Sequence, residues 1–206
     1  MTEWRLFDEA TVPEFTTTEF FTRHPWVPPE HQAGHAERTA MVVTLVEQVQ
    51  TERPRTWSDI GCGDGALLSR AGPTGERRWG YDAGTANVMK ATTAGLDVRH
   101  ADVLINPLEY GELITACEMV EHLADPHAFL RALPDATLII SSPSAETGAW
   151  HYVHHAWAWD LDGYAALVTD SGWRVIEQVE CDAPPNTHDG ITAPQRFQAI
   201  MARREE

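Results

Sequence analysis

From Thr56 onward, stretches with strand character alternate with stretches with helix character, and this alternation constrains the fold more than any other feature. The strand stretches are short and apolar, and glycine-bearing turns or helical stretches follow them. Strands that are connected through helices lie parallel in one sheet that has helices on both faces. The five strand stretches are TWSDI (56–60), RRWGYDA (77–83), LDVRHADV (96–103), LITAC (113–117) and ATLIISSPS (136–144).

The last part of the chain breaks this alternation. A helix over about 160–171 leads to a strand WRVIEQVEC at 173–181, and a polar, proline-bearing loop separates it from a strand RFQAIMAR at 196–203. Two strands that are joined without a helix pair antiparallel or lie apart. An α/β sheet that ends in such a hairpin is not typical of a dinucleotide dehydrogenase.

Residues 1–53 differ in character from the rest, since they begin with aromatic and threonine residues and end in a helical stretch from about Glu30 to Gln50. Pro28–Pro29 suits the start of that helix and Pro54 closes it. One apolar stripe runs along it. The stripe consists of Met41, Val42, Leu45, Val46 and Val49. We therefore predict an N-terminal extension with a helix at 1–53, acting as a lid over the substrate, and a second domain at 54–206.

Composition excludes several classes of protein. The formal net charge of −16 disfavours a nucleic-acid partner, because phosphates repel a strongly negative surface. No apolar run approaches the roughly 18 residues of a membrane span. The three cysteines lie far apart, which favours a reducing compartment. Acidic groups stand near the N-terminus where a secretory signal carries basic ones, so we expect a cytoplasmic protein without a membrane partner. Neither a GxSxG motif nor a P-loop occurs, which argues against a catalytic serine and against nucleotide hydrolysis.

Three of the predicted strands end in residues suited to binding a small ligand. DIGCGDG (59–65) is a glycine-rich loop that follows the first strand, and glycines let a backbone turn sharply and approach a ligand closely. Asp82 ends the second strand and Asp102 ends the third. Ligands of open α/β sheets lie at the carboxyl ends of the strands, so these groups converge there. Alternatively, either aspartate caps a helix or closes a turn.

From about residue 54 to 203 the chain resembles the class I S-adenosylmethionine-dependent methyltransferases. DIGCGDG resembles the first motif of that family, GYD its second-strand acid, HADV its adenine-contacting turn and CEMVEHL the motif after its fourth strand. The resemblance implies a Rossmann-like, doubly wound sheet of seven strands with a reversed last strand, and S-adenosylmethionine as the cofactor. The residues that it places around the cofactor are Asp59, Gly61, Cys62, Gly63, Gly65, Asp82, Asp102 and Val103.

CEMVEHL (117–123) also carries acidic and imidazole groups. If a helix begins at about Glu118, then Glu118, Glu121 and His122 lie at i, i+3 and i+4 and share one face at the end of the fourth strand. Carboxylate and imidazole ligands suit a divalent cation such as Mg²⁺ or Mn²⁺. A further ligand has to come from elsewhere, and the loop HYVHHAWAWD (151–160), which also leaves the carboxyl end of the sheet, is the best source.

Two branches of the family have a similar Glu-x-x-Glu-His segment. These are the ubiquinone-biosynthesis O-methyltransferases and the small-RNA 3′-terminal 2′-O-methyltransferases. The RNA branch also has a later histidine before an aromatic-x-Trp, as His155 stands before Trp157 and Trp159. Similarity to that branch implies a metal held by Glu118, Glu121, His122 and His155. The chain departs from it in its negative charge and in having no basic tract. Relatives without a metal use the same Glu-His to orient a substrate hydroxyl.

These patterns predict methyl transfer from S-adenosylmethionine to the hydroxyl of a small molecule. His122 or His155 accepts the proton of the hydroxyl, or a metal lowers the hydroxyl's pKa. RNA 2′-O-methylation and N-methylation of a small molecule are the alternatives within the family. A cofactor-binding protein without catalysis and a nicotinamide oxidoreductase are the alternatives outside it. The oligomeric state is not fixed by the sequence.

Overall fold

The structure, a computed structural model, describes residues 2–8, 10–23, 34–50, 54–70, 77–188 and 191–205 of the 206 residues. Its strands are β1 (Glu3–Arg5), β2 (Thr56–Ile60), β3 (Arg77–Asp82), β4 (Val98–His100), β5 (Leu113–Cys117), β6 (Thr137–Pro143), β7 (Trp157–Trp159), β8 (Trp173–His188) and β9 (Ile191–Arg204). Its helices are α1 (Thr18–Arg23), α2 (His35–Gln50), α3 (Ala66–Arg70), α4 (Thr85–Thr93), α5 (Pro126–Ala132) and α6 (Leu161–Thr169). Within these ranges, no helix has the length and apolar character needed to cross a membrane.

Seven strands form one sheet in the order β4-β3-β2-β5-β6-β9-β8. β2 to β6 run parallel to one another, β9 is antiparallel to β6, and β8 is antiparallel to β9. The predicted doubly wound sheet with a reversed last strand is confirmed. Because β2 is the middle one of the five parallel strands, the loop that follows it opens at the centre of their carboxyl edge.

One face of the sheet is covered by α2, α3 and α4. The predicted stripe of α2 is buried there, with Val42, Leu45, Val46 and Val49 each at most 3% exposed, and it belongs to the same core cluster as Trp57 of β2. Successive side chains along a strand point to opposite faces of the sheet. Ile60 of β2 therefore belongs to a second core cluster, on the opposite face from Trp57. The predicted helix start at Pro28–Pro29 lies outside the described residues.

The other face is covered by α5 and α6, and both helices begin at an aspartate cap. Asp125 Oδ1 accepts the Ala128 N–H at 2.8 Å, and Pro126 follows as the first helical residue. Asp160 Oδ1 accepts the Gly163 N–H at 2.6 Å at the start of α6. These caps fix where the chain turns back onto the sheet after β5 and after β7.

The N-terminal extension has a strand that the sequence did not predict. β1 pairs antiparallel with β7, with Glu3 opposite Trp159 and Arg5 opposite Trp157. The Trp159 indole N–H also donates to Glu3 Oε2 at 2.8 Å. The extension is thereby joined to the segment that follows the histidine-rich loop, which places α1 near the carboxyl edge of the main sheet.

The predicted helix that begins at about Glu118 is wrong. β5 ends at Cys117, Glu118 has a φ of 51°, and only a one-turn 3-10 segment forms at Val120–His122 before α5 begins at Pro126. A left-handed backbone angle cannot start an α-helix, and a proline disfavours helical conformation in the residue before it. Glu118, Glu121 and His122 therefore do not share one face of a helix.

The hairpin of β8 and β9 extends past the rest of the sheet. β6 pairs with β9 only between Phe197 and Arg203, whereas β8 continues to pair with β9 as far as His188 opposite Ile191. The overhanging part lies beyond the carboxyl end of β6. It therefore borders the edge at which the glycine loop opens.

Candidate active site

The glycine loop turns sharply at the end of β2. Gly61 and Gly63 have φ angles of 70° and 56°, which few other residues adopt, and a Cβ on Gly61 would lie 2.5 Å from Met119 Cγ. The Gly61 N–H donates to the Tyr81 carbonyl at 2.8 Å, and the Gly65 N–H donates to the Cys62 carbonyl at 3.0 Å before α3 begins. The sequence therefore needs glycine here for the turn itself as well as for the approach of a ligand.

A cleft lies above this loop, with about 510 Å³ of empty space including its open mouth. The loop forms one wall and the first turns of α2 form another. Cys117 and Glu118, at the end of β5, form the third. Of the cofactor residues predicted from sequence, Asp59, Gly61, Cys62 and Gly63 line this cleft.

Asp59 is buried below the loop, with 2% exposure. The Thr115 hydroxyl donates to Asp59 Oδ1 at 2.6 Å, and the Trp57 indole N–H donates to the Thr115 hydroxyl at 2.9 Å. Desolvation raises the pKa of Asp59 to about 7, with a smaller contribution from the charge of Asp82, while the Thr115 hydrogen bond opposes the shift. Asp59 is thus held in place, and its burial favours the protonated form up to a higher pH than is usual for an aspartate.

Asp82 ends β3 and connects the glycine loop to α4. Its Oδ2 accepts the Gly63 N–H at 2.8 Å, and its Oδ1 accepts the Gly84 N–H at 2.7 Å and the Asn87 side-chain amide at 2.9 Å. Burial raises its pKa, and these hydrogen bonds oppose the rise. The carboxylate therefore stabilises the turn into α4, as the alternative interpretation held, and it also orders the loop of the predicted cofactor site.

Asp102 and Val103 follow β4, and they do not line the cleft above the loop. Asp102 Oδ1 accepts the Leu104 N–H at 2.8 Å, so this carboxylate closes its own turn. The Ala101 N–H donates to the Asp82 carbonyl at 3.0 Å, which places the turn beside Asp82. The three predicted positions thus follow the adjacent strands β2, β3 and β4 at one edge, although their role toward a cofactor stays a prediction.

Glu121, His122 and His155 form a compact cluster, which we call the imidazole cluster. Each offers a ligand atom within 4.8 Å of those of the other two. The Ala156 N–H donates to the Glu121 carbonyl at 2.7 Å and so ties the histidine-rich loop to the turn after β5. This contact brings the distant His155 beside His122, as the predicted metal set requires. Whether a metal binds there stays a prediction.

Burial sets the protonation of the imidazole cluster. Desolvation, then the neighbouring histidines, lowers the pKa values of His122 and His155 to about 3 each, so both rings are neutral near pH 7. The His122 Nδ1–H donates to the His154 carbonyl at 2.9 Å, and because a carbonyl only accepts, Nε2 of His122 has to be unprotonated. Among the described residues, none gives either carboxylate oxygen of Glu121 a hydrogen bond, and burial raises the pKa of Glu121 well above its ordinary value.

Glu118 does not belong to the imidazole cluster. Its Oε1 accepts the Ser141 hydroxyl at 2.9 Å, and its Oε2 lies 3.6 Å from Arg38 Nη1. Desolvation raises its pKa, and the charge of Arg38 opposes that rise. The structure thus separates the four residues of the predicted metal set into a cluster of three and a carboxylate that faces the cleft.

Arg38 of α2 is a site residue that the sequence interpretation missed. Its guanidinium lines the cleft, contacts Glu118, and lies 3.2 Å from Nδ1 of the buried His35. Burial lowers the pKa of His35 to about 4, with Arg38 adding to the shift, so the neutral ring accepts an N–H from Arg38. One signal was present in the sequence, since Arg38 lies four residues before Val42 and is therefore a charge on the apolar stripe.

Glu146, in the loop after β6, is a second residue that was missed. Its Oε2 lies 2.6 Å from Nδ1 of His155, and its Oε1 accepts the Tyr152 N–H at 3.0 Å. Desolvation raises its pKa to about 7, and the Tyr152 hydrogen bond and the charge of His151 oppose the shift. No sequence pattern distinguishes Glu146 from an ordinary loop residue, because its partners are brought to it only by the fold of the loop.

α1 covers the imidazole cluster from the N-terminal extension. The ring centroids of Phe21 and His122 are 5.5 Å apart at a near-perpendicular angle, and those of Phe20 and His154 are 4.9 Å apart. Phe20 is 8% exposed. The extension therefore forms a roof over the cluster, and its predicted role as a lid over the substrate stays a prediction.

Comparisons with known proteins agree with this geometry. A family profile described as a methyltransferase domain matches residues 34–188. A ubiquinone biosynthesis O-methyltransferase of Ruegeria pomeroyi is 36% identical over 96 residues, which are 41% of this chain and 39% of that relative. The chain thus spans less than half the length of the curated relatives that it matches.

Two solved structures show the same fold. The N-methyltransferase NodS of Bradyrhizobium japonicum WM9, in complex with S-adenosyl-L-homocysteine, superposes with a TM-score of 0.63 at 17% identity, covering 84% of this chain and 88% of NodS. Magnesium protoporphyrin IX methyltransferase of Synechocystis PCC 6803, with the same compound bound, has a TM-score of 0.62 at 14% identity, covering 93% of this chain and 96% of that one. At these identities the likeness concerns the fold.

Proposed function

Since the chain belongs to the methyltransferase domain family and is an S-adenosylmethionine-dependent enzyme of that family, we propose that its methyl acceptor is the hydroxyl of a small molecule. One observation carries the proposal. The neutral His122, whose Nε2 atom is unprotonated, lies just beyond Cys117 and Glu118, which form a wall of the cofactor cleft. A hydroxyl has to lose a proton when its oxygen is methylated, and an unprotonated imidazole beside the cofactor can accept that proton.

The charges of the cleft suit the amino-acid part of S-adenosylmethionine. Among the described residues that line it, Arg38 is the one side chain with a permanent positive charge, and its guanidinium is suited to bind the methionyl carboxylate. The carboxylate of Asp59 is suited to bind the methionyl ammonium group. The backbone of the glycine loop approaches the middle of the cofactor, Asp82 accepts from the ribose hydroxyls, and Asp102 with Val103 surrounds the adenine.

The reaction is an in-line displacement at the methyl carbon. The C–S bond breaks and its electron pair returns to sulfur, while an oxygen lone pair of the acceptor forms the new C–O bond. The hydroxyl proton becomes strongly acidic as its oxygen gains the methyl group, so even an imidazole with a pKa of about 3 accepts it. The protein contributes by aligning the acceptor and by excluding water, and the roof formed by α1 contributes to both.

The imidazole cluster also fits a divalent cation such as Mg²⁺ or Mn²⁺. A buried carboxylate to which no described residue donates a hydrogen bond and two neutral imidazoles are a suitable set of oxygen and nitrogen ligands. Glu121, His122 and His155 would hold the ion, and Glu118 is engaged with Ser141 and Arg38 instead. When bound, such an ion supplies Lewis-acid polarisation of the acceptor oxygen.

The acceptor class is tested with a panel of small molecules in matched pairs, each hydroxyl compound beside the amine of the same skeleton. The protein and S-adenosylmethionine are incubated with each compound, and methylated products are identified by mass spectrometry with fragmentation. We expect methyl ethers from hydroxyl members of the panel. Methylation of the amines in preference to their hydroxyl partners would contradict the proposal and favour N-methylation. Short RNA with a free 3′ end is included, and its methylation at the 2′ oxygen would also contradict it.

A further inference from the structure

We propose that Glu146 is a positioning residue for methyl transfer, because its carboxylate fixes the ring of His155 and leaves Nε2 of that ring unprotonated. The inference rests on the proposed function, in which His155 belongs to the pair of imidazoles beside the acceptor. Glu146 itself is not among the residues that line the cleft. It acts through His155.

The contact between the two side chains is short and sheltered from water. Glu146 Oε2 lies 2.6 Å from His155 Nδ1, and the two side chains are 7% and 10% exposed. The other oxygen of Glu146 accepts the Tyr152 N–H at 3.0 Å, so the carboxylate is held at both ends. A carboxylate that accepts from Nδ1–H determines which ring nitrogen bears the proton and how the ring is oriented.

The neighbouring His122 is held in an equivalent way by a backbone group. Its Nδ1–H donates to the His154 carbonyl at 2.9 Å. Both imidazoles of the cluster are therefore bound through Nδ1, and both are left with Nε2 unprotonated. Of the two acceptors, only Glu146 is a side chain, and so only its contribution can be removed by substitution without altering the backbone.

A purely structural role for Glu146 makes a different prediction from a positioning role. Glu146→Gln keeps an oxygen that can accept the Tyr152 N–H, so the loop keeps that contact. The new amide, however, can donate a hydrogen bond to Nδ1 of His155, which favours the tautomer with the proton on Nε2. The substitution therefore changes the ring's protonation while leaving the loop in place.

The first measurement is the nitrogen NMR spectrum of the histidine rings in the cofactor-free protein at mildly alkaline pH. Protonated and unprotonated ring nitrogens resonate far apart, and the His155 signals are identified by their loss in His155→Gln. We expect wild-type His155 to bear its proton on Nδ1, and Glu146→Gln to move it to Nε2. A wild-type proton on Nε2, or an unchanged tautomer in Glu146→Gln, would overturn the inference. This measurement needs no acceptor, so it stands even if the proposed function fails.

The second measurement is steady-state methyl transfer to an acceptor from the panel. We expect Glu146→Gln to lower kcat by about 10–100-fold, as is typical for residues that orient a functional histidine, with S-adenosylhomocysteine affinity unchanged. Glu146→Asp, which keeps the charge, recovers part of the loss. Thr147→Ala is the matched control, since Thr147 Oγ1 accepts from Ala149 and Trp150 N–H in the same loop and does not contact His155. A kcat of Glu146→Gln equal to that of Thr147→Ala would count against a positioning role.

Discussion

His122 and His155 face each other with ring centroids 4.8 Å apart and ring planes at 78°. The first lies in the turn after β5 and the second in the loop before β7, so the sheet and its loops bring them together. Each is bound through Nδ1, the first to a backbone carbonyl and the second to Glu146. This pairing places two neutral imidazoles at the point where the proposed reaction releases a proton.

Removal of His122 is expected to slow methyl transfer while leaving cofactor binding intact. General-base assistance is worth about 10²–10⁴-fold, so His122→Ala should lower kcat by that order. Its side chain lies outside the cleft lining, and the affinity for S-adenosylhomocysteine, measured by calorimetry, should stay close to that of the wild type. His127→Ala is the matched control, because His127 contacts Glu3 at the N-terminal strand and not the imidazole cluster. Equal turnover in the two variants would remove His122 from the mechanism.

The sheet could be predicted from sequence because its determinants are local. Apolar stretches, glycine turns and the aspartates at strand ends each occupy a few neighbouring positions, and strands linked by helices leave few topologies open. β1 was missed because EWR at 3–5 is a three-residue strand with no alternation to detect. Its pairing with Trp157–Trp159 is between distant parts of the chain.

The candidate site could be predicted only in part. The glycine loop and Asp59 are visible in the sequence, and they line the cleft. The predicted helix start at Glu118 was wrong because Glu118 has a left-handed backbone angle although it is not a glycine. Contacts of its side chain with Ser141 and Arg38, which are distant in sequence, stabilise this conformation. Glu146 could not be found, since a carboxylate in a loop becomes distinctive only when the fold places a histidine against it.

Asp59 should make cofactor binding depend on pH. Its pKa of about 7 means that it is largely protonated below neutral pH, whereas the ammonium group that Asp59 is proposed to bind favours the ionised form. The affinity for S-adenosylhomocysteine should therefore rise with pH, by up to about eightfold between about pH 6 and pH 7.5, and level off once Asp59 is ionised in the free protein. Calorimetry across this range measures the change. In Asp59→Asn, whose amide oxygen can still accept from Thr115, the dependence should disappear, and its persistence there would assign it to another group.

The same raised pKa has a consequence for stability. An acid whose pKa is higher in the folded than in the unfolded protein binds its proton more tightly when folded. The contribution of Asp59 is therefore fully present below its ordinary pKa near 4 and is lost as pH rises through about 7. The free energy of unfolding of the cofactor-free protein should fall over that range less steeply in Asp59→Asn than in the wild type, as measured by urea unfolding at several pH values.

Binding of Mn²⁺ distinguishes the three-residue cluster from the four-residue set implied by resemblance. The protein is titrated with Mn²⁺ alone, and electron paramagnetic resonance measures how much of the ion stays free. Glu121→Gln removes a carboxylate of the cluster and should weaken binding at least about tenfold. Glu118→Gln should bind Mn²⁺ about as tightly as the wild type, because Glu118 contacts Ser141 and Arg38. Equal weakening in both variants would restore Glu118 to the ligand set, and no binding by the wild type would leave the imidazoles to act without a metal.

The ion pair of Arg38 with Glu118 should separate cofactor affinity from stability. A hydrogen bond to a charged group is worth about 1.5–3 kcal/mol, so Arg38→Met should weaken S-adenosylhomocysteine binding by about 10–100-fold. It should also lower the melting temperature, because the carboxylate of Glu118, with 11% of its side chain exposed, loses its positive neighbour. In Arg38→Met with Glu118→Gln the buried charge is removed, so the melting temperature should recover while the affinity stays low. Recovery of both would show that Arg38 serves only to neutralise Glu118 and does not bind the cofactor's carboxylate.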